Sequence, residues 1–374
     1  MQKLLNVYLK IIPIISLVGI ILSTLRTVYS SQLSFYILLV SAILDLIIII
    51  YCYKLLRSRL IGFLILILIL STFVGLFNSN EISRHFITDF TNPLFFFCKI
   101  IIFSKYWRTS SFEMYIKYYS NIAFWGSLFL LPIVYFIFQS SGIKRLAIFP
   151  PLELPFSIYM QSGGVFFFVT LIMIVLYGKR SQLGSALVTF IVFIFIFKRK
   201  QFLKYLMLSI VLMIGINFIF SEYSDNLAIR RLTYTFNQFL NSENATEGVS
   251  AVSAGRDFEI ETVLDLMDSP KDYFFGMGSG VSFNLNVLPE KELSNIHFSP
   301  LSFIFKYGVI FTVFIYGFLL RELFSIRKQN IDRMYLAAYG TLVFVFIESF
   351  FAYALFVTSI LPIAIGYLNY KRKE

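Results

Sequence analysis

Long stretches without a single charged residue govern what this chain can fold into. Residues 61–78 and 118–141 contain no Asp, Glu, Lys or Arg, and a helix crossing the hydrocarbon core of a bilayer needs ~20 such residues. Similar runs recur along all 374 residues. Membrane barrels are made instead of strands about 10 residues long with alternating polarity. The uninterrupted runs therefore predict an all-α polytopic membrane protein. Composition agrees: 58% of residues are hydrophobic and 14% charged, with a mean hydropathy of +0.77, whereas a soluble domain carries about 25% charged residues.

The runs place about eleven spans, at 8–25, 33–53, 60–78, 87–104, 119–138, 157–177, 182–197, 205–220, 300–320, 335–351 and 354–369. The first has a basic flank, Lys3 and Lys10, but no small-residue cleavage site after it. It reads as the first helix rather than as a removable signal peptide. No internal repeat or low-complexity tract divides the chain, which predicts a single membrane domain, 1–374, with one polar insertion at 221–299.

The net charge of +11 suggests a nucleic-acid partner until its distribution is considered. Lys and Arg lie in short clusters between apolar runs, at 54–59, 105–108, 198–204, 321–333 and 371–373. That is the positive-inside pattern of cytoplasmic loops, so no nucleic-acid partner is expected. The insertion is the reverse, with 12 of the 21 acidic residues and 5 of the 32 basic ones, and is expected to face away from the cytoplasm. Counting spans inward from both ends leaves three between residues 117 and 198, where parity requires an even number. The stretch 143–164, with Pro150, Pro151 and Pro155, is the place for a re-entrant or extra half-helix. Cys52 and Cys98 both lie in or beside apolar runs, a poor basis for a disulfide framework or a zinc site.

Within the insertion, Ala254-Gly255-Arg256 opens a helical pattern that runs to about Met267. Apolar Phe258, Val263, Leu264 and Met267 alternate with Asp257, Glu259, Glu261 and Asp265, and acids early in a helix suit its positive N-terminus. Asp268-Ser269-Pro270 ends the pattern. Gly276-Met277-Gly278-Ser279-Gly280 follows. It lacks the βαβ context of a dinucleotide fingerprint and reads as tight, closely approaching backbone.

Several residues have the chemistry to act. His297 stands just before the apolar run beginning at Pro300. Histidine titrates near neutrality and is a natural general base, though an interfacial histidine without a role fits the sequence equally well. Arg180, in Tyr177-Gly178-Lys179-Arg180-Ser181-Gln182-Leu183, falls on the outer face if the topology counted from the C-terminus holds, and a guanidinium there suits phosphate oxygens. Lys179 beside it is either part of the same anion site or an ordinary anchor. Arg256 heads the loop helix, where an arginine and a helix N-terminus both favour anions. Arg230 and Arg231 have the reach for an anionic head group, or for simple snorkelling. His85 has no such context, and two separated histidines make a poor metal site. Asp45, Asp89 and Glu348 lie in or near spans, where acids are expensive and often functional. They support a transporter unless each pairs with a Lys, Arg or Tyr in the bundle.

The order of these pieces resembles the bacterial O-antigen polymerase and O-antigen ligase superfamily, in particular Wzy-like polysaccharide polymerases. Gly178-Lys179-Arg180-Ser181-Gln182-Leu183 precedes a span, the basic cluster at 198–200 and a second span. The large loop follows, with Gly255-Arg256, then Gly276-Met277-Gly278-Ser279-Gly280, then His297, and Phe303, Phe305 and Gly308 lead into the next helix. The match covers about residues 178–320; before that only the array of spans agrees. The family often has Asn directly after its histidine, where this chain has Phe298, with Asn295 the nearest substitute. The resemblance implies a metal-independent glycosyltransferase without a cofactor, multi-pass in the bacterial inner (plasma) membrane, with its site on the outer face. Its substrates would be oligosaccharides on undecaprenyl diphosphate, polymerised into O-antigen or capsular polysaccharide. His297 would take the acceptor proton, while Arg180 and Arg256 hold the leaving diphosphate, helped by Lys179, Arg230 and Arg231. Membrane lipids, a chain-length regulator and a flippase of the same pathway are the implied partners. A ligase that transfers the glycan to a lipid A-core or protein acceptor is the nearest alternative. A lipid-linked glycan flippase or other transporter comes next, then a purely structural membrane subunit.

Overall fold

A computed structural model describes residues 2–29, 33–78, 84–108, 111–142, 148–197, 256–285, 288–325 and 331–373. The expected span 205–220, the basic cluster 198–204, Arg230 and Arg231, and the loop 241–255 lie outside these residues. The described chain is mostly helical. The first half runs α1 (Gln2–Tyr29), α2 (Leu33–Tyr51), α3 (Arg59–Asn78), α4 (Arg84–Tyr106), α5 (Phe112–Ser140), α6 (Glu153–Tyr159), α7 (Val165–Leu176) and α8 (Arg180–Phe197). The second runs α9 (Arg256–Leu266), α10 (Pro270–Phe275), β1 (Phe283–Leu285), β2 (Leu288–Leu293), α11 (Ser299–Phe324), α12 (Arg333–Glu348) and α13 (Ile360–Lys371).

Six of these helices are long and apolar enough to cross a membrane, namely α1, α3, α4, α5, α8 and α11. A helix satisfies its own backbone hydrogen bonds, which is what hydrocarbon demands. The architecture is that of an all-α membrane protein. Its main core joins residues from every one of the longer helices. Around it α4 packs on α13, α1 on α5, and α12 on α6, α8 and α13.

Two features depart from the sequence reading. The span expected at 157–177 is two helices, α6 and α7. Gly163 (φ 59°) and Gly164, in extended backbone, break the ladder between them, and α6 is the short extra helix that the prolines foreshadow. The insertion is not purely helical either. β1 and β2 form an antiparallel hairpin, with Phe283 opposite Leu293 and Asn284 opposite Glu292.

The insertion is seated on the bundle by its glycine run. Helix α11 is kinked at Gly308, whose φ is 82°. A kink interrupts the i→i−4 ladder, so carbonyls in the turn before it are open to other donors. The Phe305 carbonyl accepts from Met277 N (2.6 Å), and that of Lys306 from Gly278 N (3.1 Å) and the Ser71 hydroxyl (2.9 Å). Ser279 N donates to the Ser71 carbonyl (3.0 Å). Contact this close needs glycine. A Cβ on Gly278 (φ 100°) would lie 2.0 Å from Gly75 N, and one on Gly308 would lie 2.0 Å from the Phe274 carbonyl. Just before the run, Ser269 caps α10 with Asp272 in a reciprocal capping box. Beyond it, Val263, Met267, Phe283, Leu285, Ile296, Leu301 and Phe305 form a second small core. This core joins the loop helix and the hairpin to the head of α11.

Candidate functional site

Helix α9 begins at Arg256, and Glu259 lies three residues on. Residues i and i+3 are neighbours on a helix surface, and the arginine's charge acts on the Glu259 carboxylate. Glu259 faces inward, its side chain 9% exposed. Its carboxylate accepts from the backbone N of His297 (3.0 Å) and meets the imidazole Nδ1 at 2.9 and 3.0 Å. Burial raises the carboxyl's proton affinity, but the hydrogen bonds and charge of His297, aided by Arg256, outweigh it and hold Glu259 below the ordinary glutamate range. At neutral pH Glu259 is therefore an anion that can only accept, and Nδ1 must carry the hydrogen. In the neutral ring this leaves the lone pair on Nε2. The His297 side chain is 47% exposed although its Nδ1 edge is held.

The chain is tied down on both sides of the histidine. Ile296 is fully buried and its N–H donates to the Ser302 hydroxyl (3.4 Å). Ser299 N donates to the Ser349 carbonyl (3.0 Å), and its hydroxyl to the Ala352 carbonyl (2.8 Å). The start of α11 is thereby fixed to the end of α12.

Arg180 is brought to this same end of the bundle. Gly178 (φ 68°) closes α7, its N–H bonded to the Val175 carbonyl (2.9 Å), and Arg180 opens α8 two residues later. Lys179 lies over the Phe149 ring at 3.5 Å. Lys179 also acts electrostatically on Glu348, to which Ser181 hydrogen-bonds. Glu348 directly precedes Ser349, the anchor of the α11 head. Arg256 and His297 thus share Glu259, while Lys179 acts on Glu348 at the end of α12 and Arg180 follows it at the start of α8. Arg230 and Arg231 lie outside the described residues.

Two of the three acids that the sequence singles out in or near the spans form ion pairs. Asp45 pairs with Lys99 Nζ (2.6 Å) and accepts from the Tyr8 hydroxyl (2.6 Å). Asp89 pairs with Lys306 Nζ (2.7 Å) and accepts from Gly280 N (3.0 Å), while its backbone carbonyl accepts from the Tyr307 hydroxyl (2.7 Å). Lys306, fully buried, also donates to Asn295 Oδ1 (2.8 Å). Asn295 therefore serves this network. Glu259 and Lys306 are the residues of these networks that sequence reasoning missed. The signal for Glu259 was its i+3 spacing from Arg256; for Lys306 it was a charge inside an apolar run. Cys52 and Cys98 are both buried, free thiols. Among the described residues no three His, Cys, Asp or Glu side chains gather as a metal site would require.

No protein-family model, curated protein or solved structure matches this chain.

Proposed function

We propose that this chain is a glycosyltransferase of the bacterial plasma membrane that polymerises undecaprenyl-diphosphate-linked oligosaccharide repeat units at the outer face. The observation that carries the reading is the His297–Glu259 pair, an exposed imidazole with its Nδ1 held by a buried carboxylate. A buried acid that fixes tautomer and orientation is the usual support of a histidine general base. In the proposed step His297 Nε2 removes the proton from an acceptor hydroxyl as its oxygen bonds to the anomeric carbon of the donor. The bond from that carbon to the phosphate oxygen breaks, and undecaprenyl diphosphate leaves with the electron pair. Arg256 and Arg180 stabilise the charge that develops on it, with Lys179, Arg230 and Arg231 adding to the positive field. In this reading the acidic insertion 221–299 lies outside, as the positive-inside distribution of the remaining basic clusters favours. The transporter reading loses ground because Asp45 and Asp89 are engaged in buried ion pairs.

The test is surface-polymer length in a deletion strain complemented with wild type or His297→Ala, each at matched membrane levels. The reading expects a ladder of long chains with wild type and single repeat units on the surface acceptor with the variant. Long chains stranded on the lipid carrier in the deletion strain would make the protein a ligase. Full restoration by His297→Ala would end the catalytic assignment.

A further inference from the structure

Lys306 is the sole charged residue in 300–320, and it is fully buried. Its ammonium has two partners of different kinds. Asp89 of α4 meets its charge at 2.7 Å, and Asn295 Oδ1, in the insertion, accepts from it at 2.8 Å. Asp89 in turn accepts from Gly280 N (3.0 Å). Joining α4 to α11 does not by itself call for ions, because a buried ion pair often stabilises a fold no better than well-packed apolar side chains of the same volume. What an apolar pair could not do is donate to Asn295. The distinctive effect of Lys306 therefore falls on the segment that holds Asn295.

That segment leads to His297, two residues on. Ser302 and Lys306 are four apart on α11 and so share one face of it. Lys306 donates to the Asn295 side chain, while the Ser302 hydroxyl accepts from the Ile296 N–H (3.4 Å). Consecutive residues of the segment are thus clasped by consecutive turns of the helix. His297 follows, with its own N–H and Nδ1 on Glu259. Glu259 fixes the ring relative to the insertion, and the clasp fixes it relative to the spanning helices. Asn295 is half-buried, so without Lys306 its amide can turn to water, and the segment is freed without stranding a polar group.

We propose that Lys306 is a positioning residue for His297, acting through Asn295 while Asp89 balances its charge. The proposal rests on the reading of His297 as the base and gives the buried ion pair a part in it.

The test centres on the double variant Asp89→Asn/Lys306→Met, expressed in the deletion strain at matched membrane levels. It removes both charges together, so the fold is kept, yet Asn295 loses its donor. Its unfolding midpoint should lie close to that of wild type, while polymer formation should stay about 10²-fold lower, the cost of a misplacement of about 1 Å. A purely structural ion pair would instead let activity return with stability. The second readout uses no glycan. The chain has two histidines, so NMR of the purified full-length protein carrying isotope-labelled histidine, with His85→Gln to assign the signals, reports the His297 ring directly. Wild type should show one set of ring signals with the hydrogen on Nδ1, and the double variant should show shifted signals or a second set. Normal polymer formation by the double variant would overturn the proposal, and so would a loss of polymer with His297 signals identical to those of wild type. If the double variant fails to fold, Asn295→Leu, which leaves the ion pair in place, decides by the same two readouts. Full polymer formation by His297→Ala ends the base reading alone, and the ring signals still decide whether Lys306 positions the histidine.

Discussion

Replacing Glu259 by Gln separates the orientation of His297 from its presence. The carboxylate accepts from two donors of the same residue, backbone N at 3.0 Å and Nδ1 at 2.9 Å. A glutamine keeps one oxygen, which at the Oε2 position still accepts from both donors, but its NH2 group then faces the Nδ1 hydrogen where Oε1 stood at 2.9 Å. Leaving a buried donor unmet costs about 1–3 kcal/mol, and the ring is free to turn or to change tautomer. General-base assistance is worth about 10²–10⁴-fold in rate, so the loss of polymer formation should fall within that range and not exceed that of His297→Ala. Stability gives a second, independent readout. Glu259 titrates below its ordinary range in the folded protein. Its contribution is therefore fully present above the unfolded glutamate pKa, about 4.3, and is lost as pH falls through the lower folded value. Wild type should lose stability on acidification below about pH 5 more steeply than Glu259→Gln. The assays are chain-length distribution in complemented cells and thermal unfolding across pH. If Glu259→Gln supports normal chain lengths while the acid-limb difference is present, the carboxylate holds the fold but does not serve the base. If neither changes, the pairing itself is wrong.

Other outcomes follow from the seating of the insertion. Lys306→Met strands the buried Asp89 carboxylate and should cost about 3–5 kcal/mol, read as a fall in unfolding midpoint or membrane yield. Asp89→Asn/Lys306→Met removes both charges while an oxygen remains for Gly280 N, and should recover most of that loss. Gly278→Ala combines a positive φ with a Cβ 2.0 Å from Gly75 N and should destabilise by about 3 kcal/mol or more. Gly142→Ala, with positive φ but nothing within 4 Å, should cost only about 1 kcal/mol. Ser269→Ala removes one half of the α10 capping box and should cost about 1 kcal/mol.

The helices, six of them long and apolar enough to cross a membrane, were legible because hydrophobic length is a local property. Every expected span among the described residues falls on helix, with ends shifted where glycines or loops intervene, as at Gly163-Gly164. The loop helix was legible for the same reason, its pattern beginning at Arg256 and ending within a residue of Leu266. The hairpin was not, because strands of three and six residues carry too short a pattern, and Pro289 in β2 argues against a strand. The partners of the intramembrane acids were hidden by distance along the chain. Asp45 and Lys99 are 54 residues apart, Asp89 and Lys306 are 217 apart, and no local pattern links them. Glu259 was hidden differently. It is one of four acids interspersed along a short helix, and only its inward face sets it apart.

The sequence allowed His297 two readings, a base or an idle interfacial residue, and the way the histidine is held supports the proposal of a base. An idle polar side chain at a membrane boundary needs no fixed geometry, since water satisfies it from any direction. Here Ile296 is buried, Ser299 is bonded to the end of α12, and Glu259 grips both the backbone and the ring of the histidine. Each constraint costs conformational entropy. The side chain is nevertheless 47% exposed. The same glycine run that binds the insertion to α3 and α11 tethers the small core under this histidine, so the rigidity continues into the bundle. Fixed support under an exposed histidine is what the proposed proton transfer would require. It also explains why the insertion approaches the bundle so closely that only glycine fits: any looseness at Gly278 would be passed on to the position of His297.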